Sequence, residues 1–191
     1  MVNEKYRIGL FTIILLIVNS LIFLFFSLVH GDDGVWNFAR EFGLTVPGIL
    51  QEGEYYRFIT STFVHFDISH LANNMILLGV LGYNLEMEKG HLKFLSIYVI
   101  SGLGGNLLSF AMRYHLGQNV LSGGASGAVF GLMGAVLGTY LKTKRPVGRL
   151  AGRGLIVMIA ISLYLGLTDT GIDNAAHIGG LVFGFLIALL L

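Results

Sequence analysis

Six apolar stretches of near-membrane length follow one another along this chain, at residues 8–29, 69–85, 92–112, 125–141, 155–167 and 174–191. A hydrocarbon layer of ~30 Å takes ~20 helical residues to cross, so the succession predicts an all-α, polytopic bundle of six membrane helices, the fifth of them short. Composition agrees. Of the residues, 54% are hydrophobic and only 12% charged, and the mean hydropathy of +0.76 is well above what a soluble core requires. A length of 191 residues would suit one soluble domain; divided among spans, it suits one membrane domain over 1–191. Glycine, at 27 residues, is about twice its average usage of ~7%, which fits helices packed closely through small residues. There is no cysteine, which excludes disulfides, thiolate metal sites and a cysteine nucleophile.

The first stretch follows Lys5 and Arg7, but it is too long for the apolar region of a signal peptide. No small-x-small cleavage site follows it, so it reads as an uncleaved first span. Charge placement sets the orientation. Lys5, Arg7, Lys89, Lys93, Lys142, Lys144, Arg145, Arg149 and Arg153 fall on one side and Arg40, Arg57 and Arg113 on the other, a split of 9 to 3. The basic side is cytoplasmic, and both termini are then inside. The net charge of +1 says nothing about partners, and no nucleic-acid partner is expected. Between the first two spans, residues 30–66 mix Asp32, Asp33, Glu41, Glu52 and Glu54 with Trp36, Phe38, Phe42, Leu44 and Ile49. That mixture suits an interfacial segment with its aromatics at headgroup level; the plainer alternative is a loosely ordered external loop.

Four polar side chains are out of place in lipid. Ser126 stands in Gly123-Gly124-Ala125-Ser126-Gly127, His177 in Ala175-Ala176-His177-Ile178-Gly179-Gly180, and His70 and Asn74 in the first turns of the second span. Polar groups at bilayer depth cost a few kcal/mol and are functional candidates by default. Spans two, four and six run from outside to inside, so charge counting and segment ends put all four at one depth in the outer half. Small residues indicate which faces meet: Gly127, Gly131, Gly134 and Gly138 form a stripe beside Ser126, and His177, Gly180 and Gly184 share a face. These glycines pack helices, and that packing would bring the serine hydroxyl to the imidazole. A serine becomes a nucleophile once a base takes its proton, and histidine does so near neutral pH. Acyl transfer also needs donors aimed at the oxyanion. His70 and Asn74, four apart on one helical face, supply N–H groups, and the Ser126 backbone N–H near a helix start is a third.

In combination and order these residues resemble the rhomboid intramembrane serine proteases, over nearly the whole chain. The resemblance rests on a six-helix core, a long first external loop, His70-x-x-x-Asn74, Gly124-x-Ser126-Gly127 and Ala176-His177-x-x-Gly180. It implies a Ser126–His177 dyad with no aspartate, an oxyanion hole from His70, Asn74 and the Ser126 amide, and supporting roles for Gly124, Gly127, Phe130 and Gly180. It further implies cleavage of a peptide bond in or beside the transmembrane segment of a membrane-protein substrate, with small residues at the cut and helix-weakening residues nearby. The enzyme would work in the lipid bilayer of the cell membrane, its site opening towards the external side, with no metal and no other cofactor. Two positions depart from the pattern. Tyr56-Arg57 stands where many relatives have Trp-Arg, and Phe130 where a tyrosine often packs on the histidine; phenylalanine can stack but cannot donate a hydrogen bond.

Other polar residues carry blander expectations. His65 reads as a loop or water-path residue, and Asn73 points about 100° away from Asn74 on an ideal helix. Asp173 reads as the N-cap of the sixth span rather than a third member of a triad. Glu86 and Glu88 are expected in the cytoplasmic interface with Lys89, and His30, His91 and His115 at solvated span ends. Three rival functions make different demands. A metalloprotease needs a motif such as His-Glu-x-x-His, which is missing, and a site from His65, His70 and His177 is contrived. A proton-relaying transporter needs polar residues through the whole bilayer depth. An inactive binding relative would lack Ser126 or His177.

Overall fold

The structure is a computed structural model that describes residues 9–150, 152–168 and 171–191. Lys5 and Arg7, which enter the charge count, and Ile8, the expected first helical residue, lie outside them. Among the described residues the chain forms helices α1 (Leu10–Phe42), α2 (Val46–Leu50), α3 (Arg57–Thr60), α4 (Ile68–Lys89), α5 (His91–His115), α6 (Ser126–Thr143), α7 (Gly152–Thr168) and α8 (Asn174–Leu190), with a 3-10 turn at Ser61–Phe63. The apolar stretches correspond to α1 and α4 to α8. Of these, α1 and α5 are long and apolar enough to cross a membrane, and α7 and α8 are shorter apolar helices. Large apolar side chains such as Ile17, Leu21, Leu28, Ile76 and Leu107 face outward, where only lipid would welcome so many.

Buried on most of its faces, α6 is the hub, packing hardest against α8 and then α5, while α1 lies against α4 and α7 touches α6 and α8 more lightly. A helix apolar all round belongs in a core. Leu78, Leu81 and Leu85 of α4, Phe94 and Ile97 of α5 and Leu132 of α6 are fully enclosed together.

Two expectations are corrected here. The first span does not end at residue 29, and the interfacial segment after it begins as helix. Gly31, at φ 64° and ψ −155°, kinks α1, and the helix resumes through Phe42. Asp32 and Asp33 follow the kink, where acidic residues favour a helix start. The aromatics expected at headgroup level hold the two arms and the following segment together. Phe38 stacks on Phe26 across the kink (centroids 4.4 Å apart), Trp36 lies 5.5 Å from Phe66, and Phe42 meets Tyr56 edge-on.

Second, α4 runs to Lys89, a turn beyond its expected end, and this takes Glu86 out of the solvated interface. Only 1% exposed, Glu86 accepts the backbone N–H of Phe11 and of Thr12 (both 2.9 Å) and the Thr12 hydroxyl (2.7 Å), while His91 Nδ1 stands 2.5 Å away. The first N–H groups of a helix have no partners within it, and the Glu86 carboxylate supplies them for α1. His91 is therefore held to Glu86 rather than merely solvated.

Candidate active site

Ser126 is the first residue of α6, so its backbone N–H is one of the donors that a helix start leaves free. The segment before it is tied down on two sides. Ser122 pairs with Leu44 through both backbone hydrogen bonds (2.7 and 2.9 Å), and the Gly124 N–H donates to Ser61 O at 2.8 Å. Gly124 sits at φ 132°, a conformation that side chains resist. Space forbids one as well: a Cβ there would stand 2.7 Å from His70 Nε2 and 3.7 Å from Asn74 Nδ2. His70 and Asn74 thus abut the chain two residues before Ser126.

Asp67 caps α4 by accepting the His70 N–H at 2.8 Å and the Ser69 hydroxyl. Those two bonds, Ser69's first, hold its carboxyl below the ordinary carboxylate range. One turn on, Asn74 is buried and its Nδ2 meets no protein acceptor, while Asn73 faces outward.

His177 is reached from the other side. It lies in the first turn of α8, buried, with its ring stacked on Phe130 at 4.1 Å and 11°. α6 and α8 meet backbone to backbone. A Cβ on Gly180 would fall 1.9 Å from Gly127 O, one on Gly184 1.9 Å from Gly131 O, and one on Gly127 3.4 Å from Ala176 O. Gly127 and Ala176 are the chain neighbours of Ser126 and His177, so the two helices touch where these residues stand. His177 Nδ1 is buried and has no protein partner.

Asp173 caps α8, its Oδ1 accepting the Ala176 N–H at 3.0 Å. Its other oxygen is fully engaged away from the imidazole, taking the hydroxyls of Ser109 (2.5 Å) and Ser122 (2.6 Å) and Arg113 Nη2 (2.9 Å). Burial raises the Asp173 carboxyl, but Arg113 and the two hydroxyls outweigh it and hold the group below the ordinary 3.8. The N-cap expectation holds, and the hydroxyl and guanidinium partners go beyond it. Arg113 stands one turn after Ser109 on α5 and carries charge opposite to that of Asp173 at the same end of the bundle, a signal the sequence contained.

Two further features were not foreseen. His65 stands in the loop between the 3-10 turn and α4, as expected, but it is buried there; its ring stands 5.1 Å from that of His70, and neither of its nitrogens has a protein partner. Arg57 is buried too, donating to Arg40 O (2.8 Å), Gly43 O (2.7 Å) and Glu54 Oε2 (2.6 Å), so it staples the end of α1 to α3. Asn106 of α5 completes the staple through Phe58 O and Ser61 Oγ. Among the described residues no three His, Asp or Glu side chains converge as metal ligands would.

The family profile described as the Rhomboid domain matches residues 52–191. Rhomboid protease GluP of Bacillus subtilis is 34% identical over 178 residues, which cover 93% of this chain and 34% of the relative. RHOMBOID-like protein 5 of Arabidopsis thaliana is 38% identical over 154 residues, 80% of this chain and 49% of the relative. Rhomboid protease AarA of Providencia stuartii is 34% identical over 169 residues, 78% of this chain and 60% of the relative. The chain spans about a third to a half of the length of the first two.

Proposed function

Because the chain belongs to the rhomboid family, we propose that it is an intramembrane serine endopeptidase acting on the transmembrane segments of membrane proteins. The nucleophile is Ser126 and the base is His177. What supports this reading is one convergence: Gly180, one turn after His177, lies so close to Gly127 beside Ser126 that a Cβ on it would stand 1.9 Å from the Gly127 carbonyl oxygen, and Gly124 lies against His70 and Asn74. The domain is the whole bundle, set in the cell membrane with both termini cytoplasmic and the site in the outer half. The family's activity and the outward apolar surface support the bilayer and its membrane-protein substrates as partners.

In the acylation step His177 takes the Ser126 hydroxyl proton as the oxygen attacks the scissile carbonyl carbon. The carbonyl oxygen becomes an oxyanion and accepts hydrogen bonds from the Ser126 N–H, Asn74 Nδ2 and His70. Asn74 Nδ2, buried with no protein acceptor, is free to donate there, and a preorganised donor of this kind acts most strongly where water is excluded. Collapse expels the leaving amine, which takes the proton from His177. Water, deprotonated by the same histidine, then hydrolyses the acyl-serine. The base works without a carboxylate partner, a reading supported by the bare His177 Nδ1 and by the other engagements of Asp173. Phe130 holds the ring plane by stacking. No cofactor takes part.

The test is cleavage of a transmembrane test peptide in liposomes, together with labelling of Ser126 by a fluorophosphonate. Ser126→Ala and His177→Ala should each abolish cleavage with helical content unchanged, since the pair acts as a unit. Cleavage retained by Ser126→Ala would end the proposal, and activity lost to a chelator and restored by zinc would point to a metalloprotease instead.

A further inference from the structure

The Asp173 carboxylate joins three segments that the sequence keeps far apart. Through Ser109 and Arg113 it holds the end of α5, through Ser122 the chain four residues before Ser126, and through the Ala176 N–H the first turn of α8. Its own carbonyl accepts the His177 N–H at 3.1 Å. Arg113 also donates from Nη1 to Val120 O at 2.5 Å, adding a second hold on the segment that leads to Ser126. Ser122 in turn is paired with Leu44 beyond α1, so the same point reaches the long first loop.

We infer that Asp173 is a positioning residue, whose carboxylate fixes the entry of α6 against the entry of α8 and so sets the approach of the Ser126 oxygen to the His177 imidazole. The inference rests on the Ser126–His177 reading. Asp173 acts through Ser122 and the α8 backbone, not on the reacting atoms, because neither of its oxygens is bonded to the imidazole. The glycine contacts already fix how close α6 and α8 lie. What they leave open is the path of the chain just before Ser126, which no helix holds, and this is what the Ser122 and Arg113 bonds restrain.

The experiment uses the full chain in detergent micelles, with Asp173→Ala, Asp173→Asn, Ser122→Ala and the Asp173→Ala/Ser122→Ala pair. For each, kcat and KM on a transmembrane test peptide, the rate of Ser126 labelling by a fluorophosphonate and the thermal midpoint are measured, the kinetics well below that midpoint. Misplacement by ~1 Å costs on the order of a hundredfold. Asp173→Ala should therefore lower kcat and the labelling rate together by about ten- to a hundredfold, with KM little changed. Asp173→Asn, whose one amide oxygen can accept either the Ala176 N–H or the Ser122 hydroxyl, should recover part of the loss. Ser122→Ala should show a smaller loss that does not add to that of Asp173→Ala, because the two share one bond.

Wild-type kcat and labelling in a folded Asp173→Ala protein would overturn the inference and leave a simple helix cap. Should Asp173→Ala fail to fold, Asp173→Asn and Ser122→Ala decide, and wild-type labelling in both sinks the inference. Labelling that persists in Ser126→Ala would instead refute the underlying dyad.

Discussion

Adding one methyl group at Gly180 tests how the candidate site is held. The new Cβ would stand 1.9 Å from Gly127 O, about 1.5 Å short of the 3.4 Å at which ordinary contact begins. The obstacle is a helical carbonyl, which cannot swing aside as a long side chain can, so α6 and α8 must part by roughly that amount. The strain falls within one turn of both Ser126 and His177. Overpacking of this kind costs ~1–3 kcal/mol of stability, and a shift of more than ~1 Å between nucleophile and base costs on the order of a hundredfold or more in rate. Gly180→Ala should thus lower kcat and fluorophosphonate labelling at least a hundredfold while the helical signal at low temperature stays near wild type. Gly154→Ala is the control, because a Cβ on that glycine of α7 meets nothing within 4 Å; it should leave both rates unchanged. Wild-type turnover in Gly180→Ala would refute the view that direct backbone contact sets the distance between the two residues.

Three further outcomes are expected. Asn74→Ala should lower kcat by about ten- to a thousandfold, the range for one lost oxyanion donor, with little change in KM and with slower but persistent Ser126 labelling; normal turnover would make Asn74 a packing residue. Reporters inserted near Asp33 and after Arg149 should read outside and inside respectively, since the charge split governs orientation, and opposite signals would move the site to the inner leaflet. Glu86→Ala, which strands the N–H groups of Phe11 and Thr12, should cost about 1–3 kcal/mol per buried group left unpaired. Its thermal midpoint should fall while Ser126 labelling at low temperature is kept; an unchanged midpoint would refute the anchoring role.

The residues proposed for chemistry were legible because the background is so apolar. A serine and a histidine inside glycine-rich spans have few reasons to be there, and both stand near the starts of their helices, Ser126 as the first residue of α6 and His177 in the first turn of α8. The glycine stripes were legible for the same reason, since small residues at helical spacing have a definite use in lipid. Less legible was everything decided by partners distant in sequence. Past Gly31 the chain is rich in Asp, Asn and Arg and reads as loop, yet it continues as helix because Phe38 finds Phe26 and Arg57 finds the carbonyls of Arg40 and Gly43. Glu86 reads as a solvated carboxylate until the start of α1 is laid against it. Asp173 reads as a cap, and its local sequence holds no trace of Ser109 or Ser122.

The seam between α6 and α8 also determines how the chain can vary. At Gly131, Gly134, Gly180 and Gly184 there is no room for a side chain of any character, so selection there filters by size and is blind to polarity. On the outward faces, at Ile178, Val182 or Leu186, bulk is free and polarity is what the surroundings reject. A saturation scan in living cells would therefore divide these helices into two stripes of opposite tolerance, and the border between them would trace the line along which the two backbones meet.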